Sequence, residues 1–209
     1  MHFFKLILRN ALRHKLRTGL TVLGLVIAIL SFGLLQTIVD AWYAGAEGAA
    51  PNRLITRNAV SLVVPLPMHY REKIRAVDGV KTVAGANWFA GVYKEPKNFF
   101  PQFAVEPVPY FSMFPEYRMA EEDFRAFMRD RKGAIVGRKV AQTYGLEVGD
   151  VVPLKGTIFP GNWEFVVRAI YDAGEPKTDT SQFFFHWHYL NETMRARASQ
   201  RANHFGIFV

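Results

Sequence analysis

TGLTVLGLVIAILSFGLLQTIV, residues 18–39, is a run of twenty-two residues without one ionisable side chain. As an α-helix rising ~1.5 Å per residue it reaches ~33 Å, against ~30 Å for the hydrocarbon layer of a bilayer. Gly19, Gly24 and Gly33 would weaken a helix in water, but glycines are common in membrane helices, where small residues let a neighbour approach. Gly24 and Ala28 form one such small pair at a spacing of four. The run is read as a membrane-spanning helix, with Thr18, Leu20, Leu23, Gly24, Ile27, Ala28, Leu30, Leu34 and Val39 in the bilayer. A cleaved signal peptide is the bland alternative, with Ala44 and Ala46 as its cleavage site. The run is too long for it, since a signal core has about 7–15 apolar residues. A buried helix of a soluble protein would need a large core around all twenty-two residues.

The flanks give the orientation. Lys5, Arg9, Arg13, Lys15 and Arg17 precede the run with no acid among them, and Asp40 and Glu47 come after it. Cations on one side place that side in the cytoplasm, so the chain after Asp40 is expected outside. Phe3, Ile7, Ala11, Phe4, Leu8 and Leu12 fall on one arc of a helix at ~100° per residue. Lys5, Arg9, Arg13 and Arg17 step by four along the opposite side. Residues 1–17 therefore read as a basic amphipathic helix lying on the inner lipid surface.

The net charge of +8 is concentrated in that tail, which holds +5; residues 18–209 hold 21 basic and 18 acidic groups. A nucleic-acid binder carries its charge on the folded part, so that class is excluded. Half of the 209 residues are apolar, too many for a disordered chain. The absence of cysteine excludes a disulfide scaffold, a thiolate metal site and a cysteine nucleophile.

Residues 40–58 are rich in alanine and glycine and read as a connector, with Trp42 and Tyr43 at the outer interface. Residues 59–209 mix helical and strand patterns, so the fold class is α+β: an amphipathic helix, one transmembrane helix and a mixed extracytoplasmic domain. Strands are expected at residues 60–64, 80–93 (one or two), 103–108, 134–136, 151–154, 165–171, 183–187 and 205–209. Helices are expected from Pro67 to a stop at Gly79, over residues 120–130, and over residues 139–144 with a stop at Gly145. A polar turn is expected around Gly161 and Asn162. The final strand runs to Val209, which reads as a domain continuing beyond residue 209.

Candidate chemistry is sparse. Residues 133–139, GAIVGRK, superficially resemble a phosphate loop, but the spacing is wrong and Val140 stands where a magnesium-holding hydroxyl is needed. His186 and His188 would share a face of a strand and could hold a metal, with His204 as a third ligand. Asp172, Glu175 and Asp179 share one loop without the spacing of an EF-hand. Solvated or packed side chains are the default in each case, so no catalytic, cofactor or metal residue is assigned. Aromatic residues gather at 99–114 and again at Phe183, Phe184, Phe185 and Trp187. Core packing is the default. Three consecutive phenylalanines on a strand point to both faces, which also makes these four residues a candidate docking face for a partner.

Residues 9–29, RNALRHKLRTGLTVLGLVIAI, resemble the opening of ABC-transporter permeases of the MacB/FtsX type. Three more segments agree with that family in order and spacing: residues 74–83 (IRAVDGVKTV), residues 134–154 (AIVGRKVAQTYGLEVGDVVPL) and residues 163–171 (WEFVVRAIY). The resemblance implies an N-terminal membrane helix followed by a MacB-like periplasmic core domain, while the family's remaining three membrane helices have no counterpart in this chain. It implies no enzyme and no cofactor here, with ATP and magnesium bound by a separate ATPase subunit. The implied partners are that ATPase, a second permease copy, a periplasmic adaptor in some branches, and lipid. The implied location is a bacterial inner membrane with Met1 in the cytoplasm. The alternative is a single-pass anchored binding or scaffold protein. An anchored enzyme is a weaker reading, since no catalytic constellation stands out.

Overall fold

A computed structural model describes residues 13–47, 52–61 and 64–209. The chain divides into two compact units, 1–51 and 52–209. Within the first, helix α1 (Lys15–Glu47) is continuous over 33 residues. It therefore runs through residues 40–47, half of the expected connector, because alanine-rich sequence without proline gives a helix no reason to stop. Residues 1–12 lie outside the described residues, so the structure does not bear on the amphipathic arrangement around Lys5 and Arg9.

The second unit is built on a mixed sheet of ten strands. They are β1 (Thr56–Arg57), β3 (Gly85–Trp88), β4 (Gly91–Tyr93), β5 (Gln102–Val105), β6 (Tyr117–Arg118), β7 (Gly133–Gly137), β8 (Val151–Gly156), β9 (Gly161–Ala173), β10 (Phe183–His186) and β12 (Ile207–Phe208). Their order is β1-β12-β3-β5-β10-β7-β9-β8-β4, with β6 paired to β9 beside this path. The pairs β5–β10 and β7–β9 are parallel and the others antiparallel. β2 (Leu66–Pro67) and β11 (His204–Phe205) form a separate small ribbon.

Among the described residues five short helices accompany the sheet: α2 (Tyr70–Arg75), α3 (Pro107–Met113), α4 (Glu121–Arg129), α5 (Arg138–Tyr144) and α6 (Trp187–Ala196). Pro107 ends the expected strand over 103–108, because a proline fits the first turn of a helix and not a ladder. Gly145 closes α5 at φ +62°, the left-handed stop its sequence position called for. The expected strand at 60–64 is not one where it is described; the first apolar residues to pair lie later, at β2. The hairpin from β8 to β9 turns at residues 157–160, and Gly161 already pairs with Gly156, so the turn comes earlier than the Gly161–Asn162 signal suggested. Strand β10 ends at His186, and Trp187 opens a helix that the strand pattern did not foretell.

Both faces of the sheet are covered. On one side Val140, Ala141, Trp187, Leu190 and Met194 from α5 and α6 pack with Phe165, Phe183 and Phe185. On the other Tyr110, Phe111, Phe124 and Phe127 from α3 and α4 pack with Phe184 and Tyr171. Strand β9 serves both. Trp163, Phe165 and Val167 face the first core, Ala169 and Tyr171 the second. A register shift against β7, between Ala134 and Ile135, leaves Arg168 without an opposite number on β7 and turns the later residues over. Arg168 donates from Nε to Asp130 at 2.8 Å.

Candidate functional site

The membrane reading rests on α1, whose stretch from Lys15 to Asp40 is long and apolar enough to cross a bilayer and has no buried residue in its apolar window. Leu20, Leu23, Ile27, Leu30, Leu34 and Val39 are all exposed, which no side chain of this kind sustains in water over 26 residues. Three polar side chains of the run are paired within the helix itself. Thr21 and Thr37 donate to the carbonyls of Arg17 and Gly33, four residues back, at 2.9 and 2.8 Å. The Gln36 amide donates to Asp40 at 3.0 Å. Such internal pairing is what a helix in hydrocarbon requires. Gly24 meets no side chain within 4 Å of its added Cβ position. Arg13 and Arg17 are exposed at the N-terminal end.

The sheet domain holds its chemistry-bearing residues in structural roles. The phosphate-loop look-alike is β7 leading into α5. A Cβ on Gly137 would lie 2.0 Å from the Thr180 carbonyl oxygen, so this glycine allows two backbones to meet rather than cradling an anion. His186 and His188 do not share a face: His186 is buried, donates from Nε2 to the Phe127 carbonyl at 2.9 Å and stacks on the Phe127 ring, whereas His188 is exposed on α6. Burial depresses the His186 pKa, and nearby His188 adds to that, while the Phe127 carbonyl and Asp130 oppose it. Two of the three acids of the loop are engaged as well. Asp172 takes two hydrogen bonds from Arg138, at 2.7 and 2.8 Å, and this partner lowers its pKa. Asp179 accepts from the Ser181 backbone and hydroxyl. Among the described residues no three His, Asp or Glu side chains converge as metal ligands.

Phe183, Phe184 and Phe185 are 0% exposed and Trp187 is 3% exposed, so none of the four can form the docking face that was a candidate from sequence. The reason is the central position of β10 between β5 and β7, with helices over both faces. Phe185 packs on Phe89 and Phe165, while Phe184 meets Tyr110, Phe111, Tyr117 and Tyr171. Burial raises the pKa of all three of these tyrosines, which stay protonated; Tyr171 donates to the Asp179 carbonyl and Tyr117 to Gln182.

Three buried polar side chains, Asn87, Gln102 and Glu106, escaped the sequence reading, and two of them bind backbone. Gln102, fully buried on β5, accepts from the Gly91 N–H at 2.6 Å and donates to the Gly91 carbonyl at 3.0 Å, so its amide brackets β4. Glu106 accepts from the Gly85 N–H at 2.9 Å and pairs with Arg71, tying α2 to the sheet. Neither has a motif; each is a polar residue inside an apolar stretch, and that break in pattern is the only signal available.

The family model described as MacB-like periplasmic core domain matches residues 18–209. A solved structure similar to the chain is the extracellular domain of the noncanonic ABC-type transporter YknZ from Gram-positive bacteria, at 12% sequence identity and a TM-score of 0.47. The likeness covers 74% of this chain and 79% of that one. No curated protein matches.

Proposed function

We propose that this chain, which belongs to the MacB-like periplasmic core domain family, is the coupling part of an ABC-transporter permease. It is a permease component of the MacB/FtsX type. In this reading a separate ATPase dimer binds and hydrolyses ATP in the cytoplasm, and magnesium goes with the nucleotide there. The chain itself catalyses nothing. Met1 lies in the cytoplasm and the sheet domain outside the inner membrane. Two permease copies bring their membrane helices together when the ATPases close. The movement passes along α1 to the outer domain, which drives export or extraction of a substrate, with a periplasmic adaptor on the outer side in some branches.

The observation that supports this best is the continuity of α1, whose 33 residues run without a break past the last uncharged position. A helix transmits displacement along its axis in a way that a glycine linker does not. Purification of the full protein from its native membranes is expected to bring an ATPase subunit with it; recovery without one favours the scaffold alternative. A flexible glycine–serine insertion at Glu47 is expected to abolish transport and leave ATP hydrolysis intact. Unchanged transport would remove the lever from the mechanism.

A further inference from the structure

Just after the membrane helix, the sheet domain begins with apolar side chains held outward. Leu54, Ile55 and Val60 are 79%, 65% and 82% exposed. They flank β1, which pairs in register with β12 at the edge of the sheet. Arg53 fixes the start of this segment: its guanidinium pairs with Glu116 at 2.5 Å and lies over the Phe114 ring, 4.5 Å from the centroid. Asn58 fixes its end, accepting from the Val60 N–H through Oδ1 at 3.0 Å and closing a turn. Leu54, Ile55 and Val60 are thus fastened at both ends and still uncovered. Other exposed apolar residues of the domain, such as Val77, Phe99 and Val148, are dispersed along the chain.

Along the chain here the charge has one sign. From residue 48 to residue 71 there is no acid, and there are three arginines. Arg53 and Arg71 have carboxylate partners, whereas Arg57 is exposed and has no ion-pair partner among the described residues. Exposed aliphatic side chains beside an unneutralised arginine are what an anionic lipid surface binds. Chain length permits the contact. Seven residues of helix beyond Asp40 and seven more to Leu54 give a tether of at most ~35 Å, so the bilayer is always within reach.

We propose that Leu54, Ile55, Arg57 and Val60 form a second membrane contact, a lipid-binding edge of the sheet domain that rests on the outer surface of the anionic bilayer crossed by α1. The aliphatic side chains enter the headgroup boundary and Arg57 meets lipid phosphates. The inference rests on α1 being membrane-embedded, and its test separates the two statements.

Because the chain has no cysteine, single labels are unambiguous. The full chain is reconstituted in phosphatidylethanolamine–phosphatidylglycerol vesicles with an environment-sensitive fluorophore on Leu54→Cys, Val60→Cys, Val148→Cys or Ile27→Cys. The labels at Leu54 and Val60 are expected to be quenched by lipid-borne nitroxide at least about threefold more than that at Val148, and to be shielded from aqueous iodide. Arg57→Glu, or phosphatidylcholine in place of phosphatidylglycerol, is expected to lower that lipid quenching by about two- to fivefold. Labels at Leu54 and Val60 that behave like Val148 overturn the proposal. So does shielding from iodide without lipid quenching, which would place protein over the patch. Lipid quenching at Ile27 with none at Leu54 and Val60 overturns only this inference; none at Ile27 overturns the membrane reading and this inference with it.

Discussion

Helix α1 and strand β10 are both apolar, and their surroundings are opposite. Along α1 every large side chain from Leu20 to Val39 is exposed, whereas Phe183, Phe184 and Phe185 on β10 are wholly enclosed by the sheet and its helices. The difference lies in run length and in the neighbouring sequence. The run in α1 has no turn signal and no charge within it, so it suits lipid or another membrane helix rather than a core of its own. The FFF run is short, and elements on both sides of it in sequence return to cover both faces. Apolar composition alone therefore does not tell an anchor from a core; the length of the uncharged run does.

The contrast breaks most severely at Phe184, which touches five aromatic rings. Phe184→Ala is expected to destabilise the sheet domain by ~3–5 kcal/mol, read as a lower midpoint of chemical denaturation. A loss under ~1 kcal/mol would mean that the enclosure is loose. Leu30→Arg tests the other region. A charge at the middle of a membrane helix costs ~2.5–3.5 kcal/mol on insertion scales, so the variant should become extractable by carbonate while the domain's unfolding midpoint stays put. Full retention in the membrane would contradict the anchor.

Legibility in the sequence divides along the same line. The membrane helix was legible because hydropathy over twenty residues is a one-dimensional property. So were α4, α5 with its Gly145 stop, and the strands over 134–136 and 165–171, where local period and turn residues agree with the fold. Core packing of Phe183–Phe185 was the default from sequence, but what encloses them was not legible, since it depends on which strands flank β10, and β5 and β7 join it from about 50 to 80 residues away in sequence. Helix α6 was hidden because an aromatic run favours a strand up to the residue where tertiary packing bends the chain. Most of the segment Leu54–Val60 fell inside what looked like a connector, with Val60 opening an expected strand, and alanine and glycine nearby masked Arg57.

Gln102 sharpens the contrast at smaller cost. In α1 the Thr21 and Thr37 hydroxyls and the Gln36 amide pair within their own helix; in the sheet domain a buried amide must find a backbone elsewhere. Gln102→Leu keeps the volume and removes both bonds to Gly91, leaving a buried N–H and carbonyl without their partner. The expected loss is ~1–3 kcal/mol, with β4 the first strand to exchange its amide hydrogens. Unaltered protection at Val92 and Tyr93 would show that pairing with β8 alone holds the strand.

The smallest effect is one of pH, and it belongs to the sheet domain alone. The folded-state pKa of His186 lies below its usual value because burial opposes the charged ring, and a neutral ring suits its donation to the Phe127 carbonyl. The unfolded chain therefore binds a proton that the folded chain refuses. The stability tied to this group is fully present above the unfolded pKa of ~6.5 and is lost as pH falls towards the depressed folded value. His186→Gln retains an N–H donor and cannot titrate. Between pH 7.5 and 5.5 the denaturation midpoint of the wild type is expected to drop more than that of the variant, a window above the range where carboxylates titrate. Parallel pH profiles would mean that the ring takes up its proton inside the fold. Burial would then not keep His186 neutral, and the packing against Phe127 would be looser than the stacked geometry indicates.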